Sequence, residues 1–427
     1  MGDAEGWSGT NAGRERAVLF TLATVQFTSI VDFMVVMPLG PQLRRTLAIT
    51  PAQFGLIVSS YTISAGIAGV LASSVVDRFG RKATFLGLYV GFLIGTLFCG
   101  LAPTYPALLA ARVVTGAFGG VLGGIAMAII GDVFPDERRG RATGILMSAF
   151  SLASVIGVPF GLFLGTRYGW HYPFLMLVAL GLPILAQGVW SLPTLRDHIG
   201  KTKTSAWDRI VETYSHPNHL RAFALVISVM LGTFMVVPFI SPYLVSNSGL
   251  TEEQLPWIYV GGGVLSLVGS PIIGRWADRY GKLRVYRIIA PVSALMMLAL
   301  TNLPKVGLAI AVGAVSLLMV SNAGRMVAAM ALVNNSVEHR LRGGFMSAYS
   351  SVQHISSGIG AFLAGLILAE APDGSLVNYG WVGLIGVAST LMSLWFAGRL
   401  RPASKAPRPE VDPLADLIDT IPAAEAF

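Results

Sequence analysis

Apolar residues in this chain run in long unbroken blocks, separated by short polar and charged stretches. Twelve blocks reach the roughly 20 residues that an α-helix needs to cross a bilayer. They cover 17–39, 52–76, 83–102, 105–131, 143–166, 171–193, 221–245, 254–276, 285–303, 306–333, 346–369 and 376–399, and are numbered 1 to 12 below. The first block follows a polar leader of 16 residues. Its length, with no small-residue cleavage pattern, predicts a retained helix and not a removed signal. The connections are short except for 194–220, where Trp207, Ile210, Val211 and Tyr214 recur at i, i+3, i+4 and i+7. That spacing predicts an amphipathic helix on the membrane surface. Residues 400–427 are Pro-rich and then acidic, a composition expected to stay disordered.

Charge fixes the expected orientation. An even number of crossings leaves both ends of the chain on one side. With that side cytoplasmic, 24 of the 30 basic residues fall in inner segments and four (Arg44, Arg45, Arg167 and Lys305) in outer ones. The remaining two, Arg112 and Arg325, lie inside blocks. This asymmetry is the positive-inside pattern, and one missed helix would invert every later loop. The net charge of +8 therefore reads as topology, not as a nucleic-acid surface.

Composition removes whole classes of function. Of 427 residues, 54% are hydrophobic and 12% charged, about half the charged share of a soluble domain. Mean hydropathy is +0.67. A soluble enzyme, a disordered chain and a secreted disulfide scaffold are all disfavoured. The single cysteine, Cys99, allows neither an internal disulfide nor a cysteine metal cluster. No G-x-x-x-x-G-K-[ST] or H-E-x-x-H pattern occurs, so no ATP, metal or cofactor is expected.

The chain also repeats itself. Asp77-Arg78-Phe-Gly80-Arg81-Lys82 follows block 2, and Asp278-Arg279-Tyr-Gly281-Lys282 follows block 8, with the two aspartates 201 residues apart. Met147-Ser-Ala-Phe-Ser151 is echoed by Met346-Ser-Ala-Tyr-Ser350 at nearly the same offset. Two pseudo-symmetric six-helix bundles follow. The expected organisation is an N-terminal tail (1–16), a first bundle (17–193), a cytoplasmic linker (194–220), a second bundle (221–399) and a cytoplasmic tail (400–427).

The paired D-R-x-G-R-K-like loops resemble the signature loop of the major facilitator superfamily. Arg112-Val-Val-Thr-Gly116 resembles the R-x-x-x-G motif of its proton-coupled members. Gly157-Val-Pro159-Phe-Gly161, followed by Gly169-Trp170, resembles the helix 5 motif of the twelve-helix drug:proton antiporters, closest to the sugar- and nucleoside-efflux branch. Ser73 stands where the first loop usually has glycine, and Val158 interrupts the usual Gly-Pro. The resemblance implies the major facilitator fold and a monomeric, proton-coupled exporter of small organic molecules in the bacterial inner membrane. Its partners would be substrate, protons and lipid, without ATP or nucleic acid. An importer or uniporter on the same fold is the alternative, and a membrane-embedded enzyme or sensor is disfavoured by the lack of any catalytic cluster.

Ionisable groups inside a bilayer are expensive and mark function. Away from the block ends, only Asp32, Arg112, Arg325 and the titratable His354 lie within blocks. Asp32 sits seven residues before the outer end of block 1 and Arg112 seven residues after the outer start of block 4. At 1.5 Å per residue the two share a depth of about 10 Å, which predicts a pair and makes Asp32 the candidate proton site. The bland alternative is a fixed structural ion pair. Thr21, Thr24, Thr28 and Asp32 share one helical face, and Gln26, Thr28 and Tyr61 are candidate cavity residues. Arg325 either touches substrate or snorkels to the inner interface. His354, amid a serine-rich face, is a weaker cavity candidate. The loop residues Asp77, Arg78, Gly80, Arg81, Asp278, Arg279, Gly281 and Lys282 are candidates for gating contacts between the bundles. Gly157, Pro159 and Gly161 would let helix 5 bend or pack tightly.

Overall fold

In the computed structural model, residues 12–75, 79–195, 213–338 and 342–402 are described. Among the described residues twelve long helices follow one another along the chain. Helix 1 is Ala12–Val35, helix 2 Pro51–Val75, helix 3 Arg81–Leu101 and helix 4 Tyr105–Val133. Helix 5 is continuous from Asp136–Leu152 through a π turn at Ala153–Gly157 into Val158–Tyr168, and helix 6 is Tyr172–Ser191. Helix 7 runs from Pro217–Val236 through a 3₁₀ turn at Val237–Phe239 into Ile240–Ser246. Helix 8 is Leu255–Tyr280, helix 9 Lys282–Thr301, helix 10 Leu308–Ser336, helix 11 Arg342–Ile367 and helix 12 Tyr379–Arg399.

Among the described residues, eleven of these helices are long and apolar enough to cross a membrane. Helix 11 is the exception. At 26 residues its length suffices, but Ser350, Ser351, Gln353, His354, Ser356 and Ser357 dilute its hydropathy. Three of these positions turn inward, with Ser351, Ser356 and Ser357 all buried, so protein rather than lipid meets them. The surface helix expected over 207–214 falls, apart from Thr213 and Tyr214, outside the described residues, as do residues 1–11 and the tail from 403. Two elements escape the hydropathy pattern. A short helix, Gly40–Leu47, joins helices 1 and 2, and a two-stranded hairpin pairs Ala369–Glu370 with Leu376–Val377 between helices 11 and 12.

The apolar core is continuous at one end of the molecule and split at the other. Away from the chain termini one cluster joins both halves, with Val36, Leu43 and Phe54 packed beside Phe239, Tyr243 and Leu244. Phe54 and Phe239 meet edge-on at 5.5 Å. At the end where helices 1 and 12 begin and finish, Val18, Phe85 and Ile125 form one cluster, and Ala222, Tyr286 and Phe345 form another. Helices 2 and 11 run antiparallel between the halves along a seam of small residues. A Cβ on Gly55 would lie 2.8 Å from the Ala361 carbonyl, and one on Gly66 2.9 Å from the Ser351 carbonyl. Such seams hold membrane helices by backbone proximity.

The joined end also carries two ion pairs between halves. Both guanidinium groups sit on the short helix Gly40–Leu47. Arg44 meets Glu370, and Arg45 grips Glu252 with two donors. Each pair is partly exposed, so each contributes about 0–1 kcal/mol. That suffices to bias two arrangements of similar energy. Arg45→Glu is expected to widen the distance between spin labels placed at this end of helices 1 and 7. The exchange Arg45→Glu with Glu252→Arg is expected to restore it, and high salt should mimic the single change.

Candidate functional site

Asp32 and Arg112 face each other inside the first half, where helix 1 meets helices 3 and 4. Both are fully buried, at 0% and 1% exposure, and Arg112 Nη1 lies 2.6 Å from Asp32 Oδ2. Thr96 on helix 3 donates its hydroxyl to Asp32 Oδ1 at 3.2 Å. Tyr61 of helix 2 closes the group, its ring 4.4 Å from the guanidinium carbon, a cation–π distance. Tyr61 in turn stacks on Phe33, which stacks on Phe234 of helix 7 at 5.9 Å. A short chain of rings therefore links the buried pair to the other half.

Glycines place these groups. A Cβ on Gly116, four residues after Arg112, would run into the backbone of Tyr61, so its absence lets helix 2 bring Tyr61 over the guanidinium. On helix 5, Gly157, Gly161 and Gly165 recur every four residues and lie against Val31 and Val35 of helix 1 and Leu39 in the turn that follows it, which also recur every four. Helix 5 thus packs closely on helix 1 directly behind Asp32. Pro159 has no N–H for the carbonyl four residues back, and the π turn immediately before it accommodates the missing bond.

The other sequence candidates are spread more widely. Thr28 is fully buried and bonds the Tyr89 hydroxyl at 3.2 Å, and Thr21 bonds Ser191 at 2.9 Å. Both sit inside the first bundle against helices 3 and 6, not on the surface between the halves. Helical spacing groups the threonines on one face but leaves the helix's rotation open. Gln26 is half-buried beside Gly123, its Oε1 lacking a hydrogen-bond partner. His354 is half-buried on helix 11. Arg325 does not reach the interface. It is 0% exposed, with Nη groups bonded to Thr390, to Thr233 at 2.6 Å and to Asn322 at 3.2 Å. Among the described residues no carboxylate pairs with it.

Of the loop candidates, Asp77 and Arg78 lie outside the described residues. Gly80 leads into helix 3, and the Arg81 Nε donates to Asp132 of the same half at 3.2 Å. Gly281 has φ +95°, a left-handed backbone that a side chain would strain, and it turns helix 8 into helix 9. Asp278, Gly281 and Lys282 line a shallow surface hollow of about 400 Å³ with Arg284 and Arg401. Arg279 lies over the Tyr280 ring at 5.4 Å. Among the described residues no ion pair joins the halves at this end. No group of His, Cys, Asp and Glu there is arranged to hold a metal ion either.

Sequence reading missed Thr96, Thr233 and Thr390. A hydroxyl in an apolar block carries little signal, because it can bond its own helix's backbone. It acquires a role only once the partner helix is in place.

A family model described as Major Facilitator Superfamily matches residues 22–218 and 222–424. The uncharacterized MFS-type transporter YtbD of Bacillus subtilis (strain 168) is 26% identical over 382 residues, spanning 88% of this chain and 92% of its own length. The chloramphenicol resistance protein of Streptomyces lividans is 25% identical over 241 residues, 56% of this chain and 62% of that protein. Among solved structures, a D-xylose-proton symporter superposes with a TM-score of 0.73 at 16% identity, covering 90% of this chain and 98% of that one. This last likeness is one of fold.

Proposed function

Because the chain belongs to the Major Facilitator Superfamily, a family of membrane transporters and not enzymes, we propose that it exports small organic molecules in exchange for protons. Multiple helices carry it across the membrane. On this reading it works as a monomer in the bacterial inner membrane, both termini cytoplasmic, by alternating access between its halves. The observation that carries the reading is the ion pair of Asp32 and Arg112, the one carboxylate–guanidinium pair among the described residues with both partners buried. A proton arriving at Asp32 Oδ2 neutralises the carboxylate and releases the Arg112 Nη1 hydrogen bond. Arg112 keeps its place over Tyr61, and helices 1 and 4 lose the charge attraction that held them. Protonation thereby couples to the relative position of helices that adjoin the other half through Phe33 and Phe234. The small-residue seam of helices 2 and 11 and the close packing of helices 5 and 1 suit rigid halves that rock as units.

Export, not uptake, is supported by the helix 5 motif and by relatives named for drug resistance, among them multidrug resistance protein 3 of Bacillus subtilis, 35% identical over 129 residues. The test is proton flux in proteoliposomes against a panel of drug-like, sugar and nucleoside compounds. Addition of a substrate is expected to release protons down an imposed gradient, and inverted vesicles are expected to accumulate it. Entry into right-side-out cells only down the substrate's own gradient, with no proton movement, would instead establish a uniporter, and accumulation there with inward proton movement an importer.

A further inference from the structure

Arg112 and Arg325 share more than burial. Thr233 stands 201 residues after Asp32, the same offset that separates Asp77 from Asp278. Helix 7 therefore carries a threonine at the register where helix 1 carries its acid. Arg325 reaches that threonine at 2.6 Å, just as Arg112 reaches Asp32 at 2.6 Å. One half neutralises its arginine and the other does not. The further acceptors of Arg325, on Thr390 and Asn322, are neutral too, and its Nε is buried with no hydrogen-bond partner. Among the described residues Asp32, Arg112 and Arg325 are the only buried Asp, Glu, Lys or Arg side chains. With Asp32 ionised the interior holds one uncompensated positive charge, and with Asp32 protonated it holds two.

A buried guanidinium facing only neutral groups is costly to hold. Its position is not remote: Thr233 and Asn322 are half-buried, and Phe234, next to Thr233, stacks across the halves on Phe33. Arg325 thus lies one side chain behind the surface where the halves meet. We infer that the substrate carries an anionic group, a carboxylate or similar oxyanion, and that Arg325 is its counter-ion, reached when the anion displaces Asn322 or Thr233 from the guanidinium. A planar guanidinium offers such a group two parallel donors. Among the described residues an organic cation has no free buried acid to meet, since the one buried carboxylate already holds Arg112. The inference rests on the transport reading above and adds the charge of the cargo.

Three probes of one shape test it: naphthalene-2-carboxylate, naphthalene-2-carboxamide and 2-naphthylmethylammonium. Each is titrated into the purified full chain in lipid nanodiscs, without a pH gradient, and followed by ligand-induced thermal stabilisation. The carboxylate is expected to bind at least about tenfold more tightly than the ammonium. Arg325→Gln is expected to erase the preference and Arg325→Lys to keep part of it. Thr233→Asp gives Arg325 the counter-charge its twin already has, so that variant should fold at least as stably as the parent yet lose the preference. Asp32→Asn should retain it, which separates this inference from proton coupling. Equal or tighter binding of the ammonium, a preference that survives Arg325→Gln or Thr233→Asp, or binding of none of the probes overturns it.

Discussion

Asp32→Asn should abolish transport driven by a pH gradient while leaving the protein folded and inserted. The amide is nearly the same shape as the carboxylate. Its oxygen can still accept from Arg112 or from Thr96, which donate to the two carboxylate oxygens at 2.6 and 3.2 Å. What it cannot do is ionise, so the variant is held in the neutral state that protonation creates in the parent. Accumulation against a gradient is expected to fall to background, while exchange of substrate across the membrane without a gradient persists. Asp32→Ala is harsher, because it strands Arg112 in a fully buried site. Breaking a buried pair by removing one partner costs about 3–5 kcal/mol, so a lower melting temperature is expected for Ala than for Asn. Full gradient-driven transport by Asp32→Asn would reduce the pair to a structural strut.

The reasons this pair was legible in advance are physical. A charge within an apolar block stands out against its neighbours, and the strict alternation of twelve crossings fixes its depth to within a turn. Depth alone then puts Asp32 and Arg112 at one level. The same logic failed at Thr28, because depth says nothing about rotation about the helix axis; only packing against Tyr89 turns that face into the bundle. Helix 11 was legible by length, although its serines dilute the signal that marks the other eleven. The helix Gly40–Leu47 was not legible at all. Eight residues with Pro41 and two arginines read as a connection, and what makes them a helix with a purpose is Glu252 and Glu370, more than 200 residues away. Arg325 was visible as a charge, but whether it snorkelled or was enclosed depended on Thr233 and Thr390 from two other helices. Long-range pairing of neutral groups leaves almost no trace in a single sequence.

Gly116→Ala is expected to destabilise the protein and to cut transport together, by an effect that Gly124→Ala on the same helix does not share. A Cβ at Gly116 would collide with the Tyr61 carbonyl and approach its carbonyl carbon to 2.8 Å, contacts with backbone that no rotamer change relieves. Helix 2 must therefore shift, and with it the ring that lies 4.4 Å from the Arg112 guanidinium carbon. Overpacking of this kind costs about 1–3 kcal/mol. At Gly124 nothing lies within 4 Å of the added atom. There the change should be neutral or stabilising by up to about 1 kcal/mol, because alanine is the better helix former. Thermal unfolding of the two variants in detergent measures the difference directly. Tyr61→Ala added to Gly116→Ala should not restore stability, since the clash is with main chain and the aromatic support of Arg112 would be gone as well. Recovery in that double variant would show that the ring, and not the backbone, sets the spacing of helices 2 and 4.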